Sequence, residues 1–201
     1  MSWEKLCQPK VKGGMGFRDL KGFNKALLAK QWWRLQTNPQ SLFARVFKAK
    51  YFHDSSFSQA KLGHNPSFAW RSIMSAQEVV KKGMRWRVGD GNGIKIWSDK
   101  WLPPPSLYKV VSTKNTLGAE AKVCELIDPE RKEWNVSLVR QIFKSHKADM
   151  VLGIPLSSRL PPDKLVWACT ANGKFTVCSA YHLVMDDSRQ VGKGRARMTL
   201  K

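Results

Sequence analysis

NPSFAWRSIMSAQEVVKKGMRWRVGDGNGIKIWSDKWLP, residues 65–103, sets Trp70, Trp86, Trp97 and Trp101 among Lys81, Lys82, Arg85, Arg87 and Lys95 around a glycine-rich turn. Two short alternating runs, Arg85 to Val88 and Ile94 to Trp97, flank Gly89, Gly91 and Gly93, which can take positive φ at little cost; the pattern predicts a β-hairpin. Period 2 places Trp86, Val88, Ile94 and Ile96 in an apolar set and Arg85, Arg87 and Lys95 in a cationic one. Extended by Lys81 and Lys82, the cationic set supplies candidate phosphate contacts, and Trp86 and Trp97 are candidates for base stacking. The competing reading plugs a core with the tryptophans and leaves the arginines solvated, as is usual for both residue types.

Composition points the same way. The chain has 201 residues, enough for one domain or two small ones, and 42% of them are hydrophobic, ample for a core. Its 35 Lys+Arg against 15 Asp+Glu give a formal charge of +20, which makes a polyanion the expected partner. Nucleic acid leads that list; an anionic membrane is disfavoured because no strongly basic amphipathic helix with a clean apolar face stands out. No apolar run reaches membrane-spanning length, and MSWEKLCQPK has no signal-peptide core, so a soluble intracellular protein, nuclear or cytoplasmic, is expected. Cys7, Cys124, Cys169 and Cys178 form no CxxC pair, so neither a disulfide framework nor a zinc site is indicated, and the thiols read as ordinary buried ones.

Along the chain, periodicity predicts a helix from Phe23 to Leu35 burying Leu28, Trp32 and Leu35, with Asn24 as cap. A second runs from Pro39 or Ser41 to Tyr51, and a third opens at Asn65-Pro66-Ser67 and stops at Gly83. Pro103-Pro104-Pro105 is the best boundary. Beyond it come a helix from Ser137 to Lys144, a hairpin from Leu165 to Val177 around Asn172-Gly173, and a helix capped by Ser179. The fold class is α+β: an N-terminal helical region with a Trp-rich β-hairpin over 1–102, a Pro-rich linker over 103–122, a small hairpin-plus-helix module over 123–187, and a disordered basic tail over 188–201.

A family resemblance rests on the ordered series Trp3, Pro9-Lys10, Gly13-Gly14-Met15-Gly16-Phe17-Arg18, Ala26-Leu27-Leu28-Ala29-Lys30, Trp33-Arg34, Pro66-Ser67-Phe68, Trp70-Arg71-Ser72-Ile73, Arg85-Trp86, Val88-Gly89 and Trp97-Ser98-Asp99. This series resembles the C-terminal part of plant LINE-type (non-LTR) retrotransposon reverse transcriptases, also labelled ribonuclease H-like proteins. The later residues Asp163, Trp167, Asn172-Gly173, Phe175-Thr176-Val177 and Ser179-Ala180-Tyr181 resemble the opening of that family's reverse-transcriptase zinc-binding domain. The resemblance implies polymerase catalysis in an upstream palm and zinc ligands further downstream. Accordingly it assigns no catalytic residue, metal ligand or cofactor to this chain, and it adds the polymerase core of a parent retroelement protein as a partner.

Val184-Met185-Asp186-Asp187 has the look of the [FY]xDD box that holds catalytic metals in reverse transcriptases, but valine occupies its first position and no third carboxylate is identifiable, so it reads as a helix terminus. No GxGxxG, P-loop or GxSxG is present, and His53, His64, His146 and His182 have no recognisable partner spacing. Three functions remain: a non-catalytic retroelement fragment binding RNA or DNA without sequence preference, a decayed structural remnant with no ligand, and an autonomous nuclease or polymerase resting on Asp186 and Asp187. The chain is read as not an enzyme.

Overall fold

A computed structural model of the protein describes residues 2–7, 10–103 and 117–198. Helices and short antiparallel strands make the fold α+β, as expected. The chain divides into two compact units, Met1–Gly83 with Cys169–Lys201, and Met84–Ala168. The division falls at Gly83/Met84 and Ala168/Cys169, not at the triple proline: the Trp-rich residues Val88, Ile94, Ile96 and Trp101 share one core with Leu126, Trp134 and Val139 from beyond the prolines. Most of the expected linker, 104–116, lies outside the described residues, as do 199–201 of the tail.

The first unit is helical: α1 (Trp3–Leu6), α2 (Leu20–Thr37), α3 (Leu42–Tyr51), α4 (Phe68–Ser75), α5 (Gln77–Gly83) and α8 (Val177–Met198). The long α2 packs against α4, α5 and α8, presenting Ala26, Ala29, Trp32 and Leu35, all buried. It begins three residues before the expected Phe23, because the Asp19 carboxylate caps it, accepting from the Gly22 N–H at 2.7 Å. Ser41 and Ser67 cap α3 and α4 in the same way. The expected single third helix is two, interrupted at Ala76.

An aromatic cluster fills the space beside α2. Trp70 is fully buried and stacks on Tyr51, ring centroids 4.6 Å apart, with Phe47 at 5.7 Å and Phe52 at 5.9 Å. The Tyr51 hydroxyl donates to Ser67 Oγ at 2.7 Å and accepts from the Ser67 N–H at 3.2 Å, which joins the end of α3 to the cap of α4. That Ser67 contact holds the Tyr51 phenol below its usual pKa.

The second unit holds β1 (Met84–Arg87), β2 (Ile127–Asp128), β3 (Glu133–Trp134), α6 (Val136–Ile142), α7 (Ser145–Leu152) and β4 (Lys164–Trp167). Neither expected hairpin forms. β1 pairs antiparallel with β4, in the register Met84↔Trp167, Arg85↔Val166, Trp86↔Leu165, Arg87↔Lys164. Ile94 to Ile96 instead lie against 121–123: Ile96 N–H donates to Ala121 O at 2.9 Å and Val123 N–H to Ile94 O at 3.0 Å. Asn172-Gly173 does make a tight turn, Gly173 at φ 69°, but no second strand succeeds it. The Thr176 hydroxyl, not Ser179, caps α8, accepting from the Ser179 N–H at 3.1 Å.

The glycine loop is organised around Asp163. Its Oδ1 accepts from the Gly89 and Gly91 N–H groups at 2.8 and 3.0 Å, and its Oδ2 from Gly93 N–H at 2.8 Å. Backbone N–H groups converging on one anion form a nest. Two of the glycines are required by space: a Cβ at Gly89 would sit 1.9 Å from Pro161 O, and one at Gly91, where φ is +74°, would sit 2.5 Å from Cys124 N. Replacing Asp163 by Ala should therefore remove three charge-assisted bonds and destabilise the second unit by about 2–4 kcal/mol. Thermal unfolding should show this as a loss of roughly 10 °C or more, and an unchanged melting temperature would refute the nest as a structural tie.

Candidate nucleic-acid interface

The five cations named from the sequence fall in both units. Lys81 and Lys82 end α5 in the helical unit; Arg85, Arg87 and Lys95 belong to the other. Three of them have acidic neighbours at the surface. Lys81 Nζ lies 3.7 Å from Glu78, one helical turn back, and Lys82 Nζ lies 2.7 Å from Asp187 of α8. Lys95 pairs with Glu120, and that contact pushes its pKa up.

Arg85 and Arg87 differ. They are two apart in β1 and so share one face of the strand. Antiparallel pairing places Lys164 directly opposite Arg87 on that face. Among the described residues no carboxylate forms an ion pair with Arg85, Arg87 or Lys164. Like charges directly opposed in a ladder are destabilising, so the pairing of Arg87 with Lys164 adds repulsion on this face. Lys164 is not legible as a site residue in the sequence because nothing local marks it; only the β1–β4 register makes it a neighbour of Arg87.

The tryptophans are used differently from one another. Trp101 is buried, stacks on Trp134 at 6.2 Å and donates its indole N–H to Ile96 O at 3.1 Å. Trp86 and Trp97 are half-buried against the same core. Trp97 leans on Phe143 with centroids 6.0 Å apart, and its indole N–H donates to Gly118 O at 3.0 Å. One side of each of these two rings is thus committed to packing. In the loop itself Asp90 accepts from both the side-chain and backbone N–H groups of Asn92, which holds its carboxyl below the usual range. With Asp163 filling the nest, the glycine loop presents no vacant cradle to a phosphate.

Asp186 and Asp187 are exposed within α8, well before its last residue, instead of at a helix end. Asp187 is engaged by Lys82. Among the described residues no three His, Cys, Asp or Glu side chains are grouped to hold a metal. The thiols are less hidden than expected: Cys169 and Cys178 are exposed, Cys7 and Cys124 half-buried, and desolvation is what raises the Cys124 pKa. No helix among the described residues is long and apolar enough to cross a membrane.

Among known proteins, the chain is 44% identical over 103 residues to the uncharacterized mitochondrial protein AtMg00310 of Arabidopsis thaliana, a match covering 51% of this chain and 67% of that protein. It is 29% identical over 196 residues to an Arabidopsis thaliana protein named as a putative ribonuclease H protein, covering 93% of this chain and 31% of that one. The chain belongs to the family of these plant retrotransposon-derived proteins. It spans about a third of the length of the second relative. No family model and no solved structure matches it.

In this retrotransposon-derived chain the Lys82–Asp187 pair is half exposed on both sides, so the contact competes weakly with other anions. Replacing Lys82 by Met, or Asp187 by Asn, should change unfolding free energy by less than about 1 kcal/mol in urea titration. A larger loss would mean the pair is structural and Lys82 is not available to a ligand.

Proposed function

We propose that this chain is a non-catalytic part of a LINE-type retrotransposon reverse-transcriptase polyprotein and that it binds RNA or DNA without sequence preference. The observation that carries this reading is the face of Arg85, Arg87 and Lys164, three cations without an acidic partner among the described residues, two of them opposed across a ladder. A line of phosphates relieves that repulsion, and backbone contact of this kind carries no base information. Lys81, Lys82 and Lys95 add contacts by exchanging surface carboxylates for phosphates, and the chain's +20 charge supplies the long-range attraction. Trp86 and Trp97 contribute the exposed part of a ring to an adjoining base. The segment 123–187 corresponds on this reading to the start of a zinc-binding-like module, and the polymerase core of the parent protein is the second partner. Nucleic-acid binding implies a nuclear or cytoplasmic site of action.

A second reading, a structural remnant with no ligand of its own, draws on the solvent-facing apolar residues Val11 (98% exposed), Phe68 (85%) and Leu42 (75%). Filter-binding or anisotropy titrations against single-stranded RNA and duplex DNA at several salt concentrations separate the two. Binding should weaken steeply with salt, and replacing Arg85, Arg87 and Lys164 together by Ala should weaken it at least about tenfold and reduce the log–log salt slope by roughly three. Undetectable or salt-insensitive binding by the unaltered chain sinks the nucleic-acid reading in favour of the remnant.

A further inference from the structure

A cavity of about 390 Å³ lies within the helical unit, far larger than a packing defect and within the size range of small-molecule sites. Its walls are largely apolar: Phe23 and Leu27 from α2, and the Tyr181 ring from α8. Arg18, just before α2, and Cys178 and His182, one turn apart on α8, supply its polar groups. Three aromatic rings meet there. Phe23 and Tyr181 pack edge to face at 6.4 Å, and Tyr181 meets His182 at 5.9 Å. The Tyr181 hydroxyl is fixed by accepting from the Asp19 N–H at 3.0 Å, so the backbone of the α2 cap holds this ring in place.

Arg18 is the one permanently charged side chain lining the cavity among the described residues. Its guanidinium lies 5.9 Å over the Phe23 ring, and among the described residues it has no carboxylate partner. An apolar, ring-lined space with a single unpaired guanidinium suits a ligand with the same division: a flat aromatic body and one anionic group. Leu27 lines this space and is 40% exposed, so its side chain is reachable from solvent.

We infer that the cavity bounded by Phe23, Leu27 and Tyr181, with Arg18 beside it, is a binding site for a small aromatic monoanion. The site belongs to the helical unit and the Arg85–Arg87–Lys164 face to the other, so either activity can be lost without the other. The probe is 1-anilinonaphthalene-8-sulfonate, a fluorescent aromatic monoanion, titrated into the full chain. Saturation at one site is expected, with affinity reduced at least about tenfold by Leu27→Trp, which fills the space, and about fivefold by Arg18→Ala, which removes one charged contact.

Cys178 provides a second readout on the unaltered chain, with no dependence on how a variant folds. Cys178 borders the cavity and Cys169 does not, yet both thiols are exposed. Saturating probe should slow iodoacetamide modification of Cys178 at least about threefold while leaving Cys169 at its own unprotected rate, read by peptide mass spectrometry. Equal probe binding by wild type and both variants, or Cys178 modification that proceeds unchanged under saturating probe, overturns the assignment.

Discussion

The Asp163 carboxylate, accepting from the N–H groups of Gly89, Gly91 and Gly93, decides the shape of the second unit. After the loop the chain meets β1 again at Lys100, whose carbonyl accepts from the Trp86 N–H at 2.7 Å. β1 also pairs with β4, whose first residue follows Asp163 directly. Ile94 and Ile96 turn away and pair with 121–123, which brings them into the core with Trp101, Leu126 and Trp134. Strand pairing, loop conformation and core membership are linked here through contacts between residues distant in sequence.

The same strand pairing also composes the basic face. With β4 beside β1, Lys164 stands across from Arg87; with a local hairpin, the neighbouring cation would have been Lys95. Lys95 instead bonds Glu120, whereas among the described residues no carboxylate forms an ion pair with the two arginines or Lys164. Ion pairs hold Lys81, Lys82, Lys95 and Arg140 elsewhere; what sets this face apart is the opposition of Arg87 and Lys164 across the ladder.

The helical unit obeys a different logic. Its helices begin where short-range hydrogen bonds say they should, at Asp19, Ser41 and Ser67, and its apolar stripes are mostly where periodicity puts them. Trp32 and Leu35 are buried as read, whereas Leu28 is only partly so, because the small residues Ala26 and Ala29 form the face on which α2 meets its neighbours. The α4–α5 break at Ala76 and, in the other unit, the helix α7 carry no strong local signal, so periodicity alone does not reveal them.

The sequence by itself determined the charge, the family and the three helix starts or their near neighbourhood, since capping and periodicity act within a few residues. Tertiary structure alone decided which strands pair, where the units divide, which cation joins the arginines, and that Trp70 and Trp101 are wholly core while Trp86 and Trp97 keep a surface. The physical reason is range. Gly89 and Asp163 are separated by 74 positions, and nothing in the Gly-Asp-Gly-Asn-Gly run distinguishes a turn that closes on itself from a nest awaiting a distant carboxylate.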